Sequence, residues 1–135
     1  MSTWTHVAGV IRAYGVQDMT TGHDWDSIIG KECLWGYNSE AWKDADEHPE
    51  EYMPCGSEGS LQKSIWVNPD KSDMKAYTIS VFGDLRDWYD VDAIIEWFKK
   101  IVKSKLWARS AVITVTNTID NTRTWAYNFG EEEEI

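Results

Sequence analysis

Asp90-Val91-Asp92-Ala93-Ile94-Ile95-Glu96-Trp97-Phe98-Lys99-Lys100-Ile101-Val102 is the stretch from which the fold is read. Val91, Ile94, Ile95, Phe98, Ile101 and Val102 recur at the spacing that puts them on one side of a helix. Asp90 is placed to cap the first turn and Asp92 lies within it, where the helix dipole favours negative charge. Lys99, Lys100, Lys103 and Lys105 crowd the other end, where the dipole favours positive charge. A helix with one apolar stripe needs a surface to cover, and the flanking sequence supplies strands.

After the helix, Ala108 to Thr116 is rich in β-branched residues, and Arg123 to Phe129 reads as a strand returning from a turn at Asp120-Asn121. Before it, Ser60 to Val67 and Lys75 to Phe82 read as strands. Their connector, Asn68-Pro69-Asp70-Lys71-Ser72-Asp73, is rich in turn formers, which predicts an antiparallel hairpin. Residues 4 to 14 form a first strand with apolar residues on both parities, as a central strand requires. Asp24 to Ile29 predicts a short helix with Asp24 as its cap, and Trp25, Ile28 and Ile29 on one face.

The order β, α, β, β, α, β with a final hairpin strand predicts an α+β ferredoxin-like fold: an antiparallel sheet with both helices on one face. The expected organisation is one domain over 1–130 and an acidic disordered tail over 131–135. An acidic loop interrupts the domain at about 38–59, with Pro54, Gly56 and Gly59 as breakers. With helices on one face only, the other parity is left bare. Trp4, Val10, Tyr14, Trp66 and Phe82 fall on it, which predicts an aromatic surface for a partner.

Composition narrows the class of that partner. The 135 residues carry 13 basic and 23 acidic side chains, a formal charge of −10. Long-range repulsion disfavours direct binding to nucleic acid or to an anionic membrane. No apolar run reaches the length of a membrane span. Met1-Ser2-Thr3-Trp4-Thr5-His6 has no basic region followed by an apolar core, so no signal peptide is expected. Cys33 and Cys55 are too few for a disulfide scaffold and read as free thiols. The expected location is the cytoplasm of whatever cell makes the protein.

No close ligand pair joins His23, His48, Cys33, Cys55, Asp24, Asp26 and Glu51, so neither metal nor cofactor is expected. No nucleophile-base spacing stands out, and no enzyme activity is expected. The protein-contact candidates are Trp4, Tyr14, Trp66, Phe82 and Trp125, together with Trp42, Asp44, Asp46, Glu47, Glu50 and Glu51 in the acidic loop. Trp and other aromatic residues are enriched among interface anchors, and acids suit a basic partner surface. Trp25, Trp88, Trp97 and Trp107 read instead as packing around the helices. A second reading takes Glu58, Ser60, Asp84 and Arg86 as a small-molecule or nucleotide site, if the glycine-bearing loops 56–60 and 83–87 meet.

Gly56-Ser57-Glu58-Gly59-Ser60-Leu61, Gly83-Asp84-Leu85-Arg86-Asp87 and Trp97-Phe98, spread over about residues 56–116, resemble small accessory proteins encoded by bacteriophages of Gram-positive bacteria. The resemblance implies an accessory role, antagonism of host defence (anti-CRISPR activity) being its sharpest form, and carries no catalytic residue. The leading expectation is therefore a non-enzymatic acidic protein. It would act as a homo-oligomer, a dimer through the bare sheet face, and occupy the surface of a basic, nucleic-acid-handling host protein. A structural role in the virion is a further alternative.

Overall fold

The computed structural model describes residues 2–17, 24–33, 40–68, 76–119 and 121–135. His23, the connector from Pro69 to Asp73, and Asp120 lie outside them. Among the described residues, eight strands and three α-helices follow in chain order. They are β1 (Trp4–Val16), α1 (Trp25–Ile28), α2 (Glu40–Glu47), β2 (Cys55–Gly56), β3 (Gly59–Ser60), β4 (Gln62–Val67), β5 (Tyr77–Arg86), α3 (Val91–Lys100), β6 (Leu106–Asn117), β7 (Asn121–Asn128) and β8 (Glu131–Glu134).

Six of the strands form one antiparallel sheet in the order β4-β5-β1-β6-β7-β8, and β2 and β3 make a separate small hairpin. β1 is central, as its two apolar parities require, and the expected β4–β5 and β6–β7 hairpins are present. Val7, Ile11 and Ala13 of β1 lie beside Ile79, Val81 and Leu85 of β5 and Ala111, Ile113 and Val115 of β6, all on one face. α3 covers that face through Val91, Ile94, Ile95 and Phe98, and a π-helical turn (Ile101–Lys105) extends the stripe with Ile101 and Val102.

Gly9 of β1 explains how closely the helix approaches. A Cβ there would stand 3.0 Å from the Phe98 ring and 3.0 Å from Val81 Cγ2. The Asp90 carboxylate accepts from the Ala93 N–H at 3.1 Å, which is the predicted cap. Asp90→Ala is expected to cost about 1 kcal/mol by losing this bond, read from a urea unfolding midpoint.

The ferredoxin-like arrangement, with two helices side by side on one sheet face, is not the fold of this chain. Among the described residues α3 is the one helix that runs along the sheet. Its expected companion, begun by Asp24, stops after four residues, and Gly30 at φ +124° turns the chain away. The sheet is also wider than four strands, because β7 and β8 extend it beyond β6.

The connection from β1 to β4 is not an irregular loop either. It contains α1, α2, a 3-10 turn (Pro49–Glu51) and the β2–β3 hairpin. Lys63 of β4 anchors its first part. The nearly buried ammonium donates to Gly30 O and Asp26, each at 2.8 Å, and to Glu32 at 3.4 Å.

Two further expectations are corrected. Glu131–Glu134 is not a disordered tail but the edge strand β8. Four like charges are accommodated because alternate side chains reach cations: Glu132 pairs with Lys103 at 2.9 Å, and Glu134 pairs with Arg123, which also holds Asp92. Residues 83–86 are the end of β5 rather than a loop; Gly83 at φ +144° accommodates the Leu61 side chain against it.

Candidate functional site

Among the described residues, none covers the sheet face opposite α3, and the face is bare in that sense. Strand register builds it in rows, since neighbouring side chains of one parity stand next to each other across an antiparallel pair. Gln62, Phe82, Ala8, Thr114 and Thr124 make one row, and Ser64, Ser80, Val10, Val112 and Ala126 the next. Trp66, Thr78, Arg12, Ser110 and Asn128 follow. Trp66, Phe82, Val10 and Val112 are 52%, 40%, 42% and 44% exposed, so an apolar strip crosses four strands with no element of the described residues over it.

Tyr14 lies at one end of this face. The Arg109 guanidinium stands 6.0 Å from its ring centroid and 4.8 Å from that of Phe129, within the range of cation–π attraction. Trp107 is also exposed, next to Gly15. At the other end His6 and Asp84 are paired at 2.6 Å. The β8 edge adds Glu131 and Glu133, which register with Asn128 and Ala126 on the bare side. The result is an apolar centre with a polar, charged border.

Of the sequence-derived contact residues, Tyr14, Trp66 and Phe82 belong to this face and are exposed. Trp4 is half-buried at the sheet end, where it lines a depression with Arg86, Thr118 and Ile119. Trp125 does not belong to the face. At 2% exposure it is core, edge-on to Phe98 with ring centroids 5.9 Å apart. Its parity pairs it with buried Ile113, not with exposed Val112.

Trp107 was expected as helix packing and stands in solvent, because register shifts between β1 and β6 near Ala13 and Val16 turn it outward. Val112 and Arg109 were not anticipated. Val112 was legible, having the parity opposite to Ile113 and Val115; Arg109 sits at the irregularity, which no alternation reveals.

The acidic segment is a second surface. Asp46, Glu47, Glu50 and Glu51 are exposed, while Asp44 accepts a hydrogen bond from the Tyr52 hydroxyl at 2.7 Å. That bond pushes the Tyr52 ionisation up to about 12, because the phenol proton is held by a carboxylate. Trp42 turns towards Trp88, and the two line a cleft of about 330 Å³ with Ala45, Asp46, Pro49, Tyr52, Met53 and Cys55.

The segments 56–60 and 83–87 do meet. Gly56 packs so tightly on Arg86 that a Cβ would stand 2.6 Å from its carbonyl oxygen, and the Ser57 N–H donates to that oxygen at 2.9 Å. Arg86 pairs with Glu58 at 2.6 Å. The four candidate ligand residues nevertheless point to different places: Asp84 binds His6, and the buried Ser60 hydroxyl accepts from the Cys33 N–H. The cleft beside Gly56 is lined by none of the four. Among the described residues no group of three or more His, Cys, Asp or Glu side chains is placed to hold a metal ion, and no helix is long and apolar enough to cross a membrane. Compared with protein-family models, curated proteins and solved structures, the chain matches none of them.

Proposed function

We propose that the chain is a non-enzymatic binding protein that seats its bare sheet face on another protein surface and selects a basic, nucleic-acid-handling partner by its acidic border. The observation that carries this reading is the strip of Trp66, Phe82, Val10 and Val112, exposed together across four strands. Leaving an apolar strip of this kind in water is unfavourable, and contact with a partner removes it from water. Glu131 and Glu133 beside the strip, and the acids from Asp46 to Glu51, supply the opposite charge for a cationic surface that handles nucleic acid.

A second copy of the chain is also a suitable occupant, since the face carries Arg12 towards one end and Asp84 at the other. Two sheets stacked with their strands reversed would bring these charges together over the apolar centre.

Phe82→Glu tests the reading, because it places a charge in the middle of the strip without touching the core. It is expected to weaken the contact by about 2 kcal/mol or more, about thirty-fold in affinity, while the melting midpoint stays near that of the parent. Light scattering at micromolar concentration should give a dimer that the variant loses, and a strict monomer would end the self-association reading. Pull-down from a bacterial host should recover a basic nucleic-acid-handling protein with the parent chain only. Equal recovery with the variant, or none with either, counts against the hetero-partner reading.

A further inference from the structure

Cys33 and Cys55 stand at the two ends of the acidic segment, and the fold brings them to one spot. Residues 31 and 53 lie side by side: the Lys31 N–H donates to Glu51 O at 3.0 Å, and the Met53 N–H donates to Lys31 O at 2.9 Å. Cys33 then meets Ser60 through both its peptide groups. Its N–H donates to the Ser60 hydroxyl at 2.7 Å, and its carbonyl accepts from the Ser60 N–H at 2.7 Å.

Cys55 is the register partner of the same Ser60 in the β2–β3 hairpin, so the two cysteines flank one residue, and the Cys55 thiol is held there by donating to Gly56 O at 3.5 Å. Their surroundings differ. Cys33 is 1% exposed, whereas Cys55 is half-buried and lines the Trp42–Trp88 cleft. A more accessible thiol next to a shielded one is the arrangement of an attacking and a resolving cysteine.

We infer that Cys33 and Cys55 are a reversible dithiol–disulfide pair, oxidised by small disulfides that enter through the cleft, and that the bond staples together the two ends of the acidic segment. In the first step the Cys55 thiolate attacks one sulfur of oxidised glutathione. A mixed disulfide forms, and one reduced glutathione leaves. Cys33 then gives up its proton and attacks the Cys55 sulfur, the Cys33–Cys55 bond forms, and the second glutathione leaves as a thiolate that takes up a proton.

The two cysteines lose two electrons and two protons in all, and the oxidant gains them. Burial and the neighbouring Cys33 push the Cys55 thiol up to about 12, so attack is slow at neutral pH and the reduced pair persists there. The closed loop carries α2 and the 3-10 turn. That oxidation thereby regulates partner contact rests on the proposed function; the bond itself does not.

The test uses the whole native chain with oxidised glutathione at about pH 9, where the thiolate is more abundant. Intact mass should show a monomer lighter by two hydrogens, peptide mapping should join Cys33 to Cys55, and dithiothreitol should restore the starting mass. Cleavage by a broad-specificity protease between Glu40 and Glu51 should slow about three-fold or more in the oxidised form, as expected for a loop of about twenty residues closed by a cross-link. Cys33→Ser should stop at a glutathione adduct on Cys55. A lasting glutathione adduct on the parent chain, a disulfide-linked dimer or no reaction would overturn the pair; unchanged proteolysis would overturn the staple. The parent-chain masses decide the first question even if the variant does not fold, and neither readout depends on the bare sheet face.

Discussion

Trp125→Ala is expected to lower the unfolding free energy by about 3–5 kcal/mol, which for a chain of this length moves the melting midpoint down by about 10–20 °C. Trp125 projects from β7 to the helix side of the sheet, 2% exposed, against the ring of Phe98. The Lys99 ammonium lies 5.8 Å from its ring centroid, so the indole also joins α3 to the outer part of the sheet. Alanine would leave a cavity walled by Phe98 and the strand backbone. Neither wall closes it readily, because the Phe98 ring is already seated over Gly9, which Val81 and Ile113 also flank. Trp66→Ala is the comparison: at 52% exposure its loss should change stability by about 0.5 kcal/mol or less and act on binding instead. Calorimetry on the two variants separates them, and equal midpoints would show that β7 does not belong to the core.

The contrast between these tryptophans shows what can be read from the chain. α3, its cap and its stripe were legible because six apolar positions, two acids and four lysines all agree on the same helix. β1 was legible as a central strand, and its even parity revealed the bare face at Val10 and Tyr14. Trp125 was misplaced because the parity of a single hairpin strand has no meaning until its partner is known. Its register with Ile113 is a tertiary fact, although Arg123-Thr124-Trp125-Ala126-Tyr127 does carry its larger apolar residues on one parity.

The segment from Asn38 to Gly59 lacks a repeating pattern because its described elements are two to eight residues long and are held by side chains beyond their own bounds, as Tyr52 holds Asp44. β8 was unreadable for a different reason. Four glutamates have no strand preference, and the ion pairs that seat them, to Lys103 and Arg123, come from residues about thirty and about ten positions earlier. The meeting of Cys33 and Cys55 at Ser60 had no sequence signal at all, since Ser60 lies outside the interval between them.

Gly30→Ala is expected to be among the most damaging single changes, costing about 3–5 kcal/mol, because two penalties fall on one methyl group. The residue adopts φ +124°, a region in which a side chain at Cα is strained. Its added Cβ would also stand 2.6 Å from Met53 N and 2.8 Å from Tyr52 C, and both are backbone atoms with no flexible end to move aside. Relief requires separating residues 30–31 from 52–53, which breaks the Lys31–Glu51 and Met53–Lys31 hydrogen bonds and withdraws the carbonyl that receives the Lys63 ammonium. Gly130→Ala isolates the first penalty: φ is +89°, but a Cβ there meets nothing within 4 Å, so a cost of about 1 kcal/mol is expected. Urea titration should therefore place Gly30→Ala well below Gly130→Ala in midpoint. Cys55 of the Gly30→Ala chain should also react faster with a thiol reagent, because the segment that carries Cys33 against it has been displaced. Equal midpoints for the two alanine variants would mean that residues 30–31 do not pack on 52–53, and the meeting of the two cysteines would lose its support.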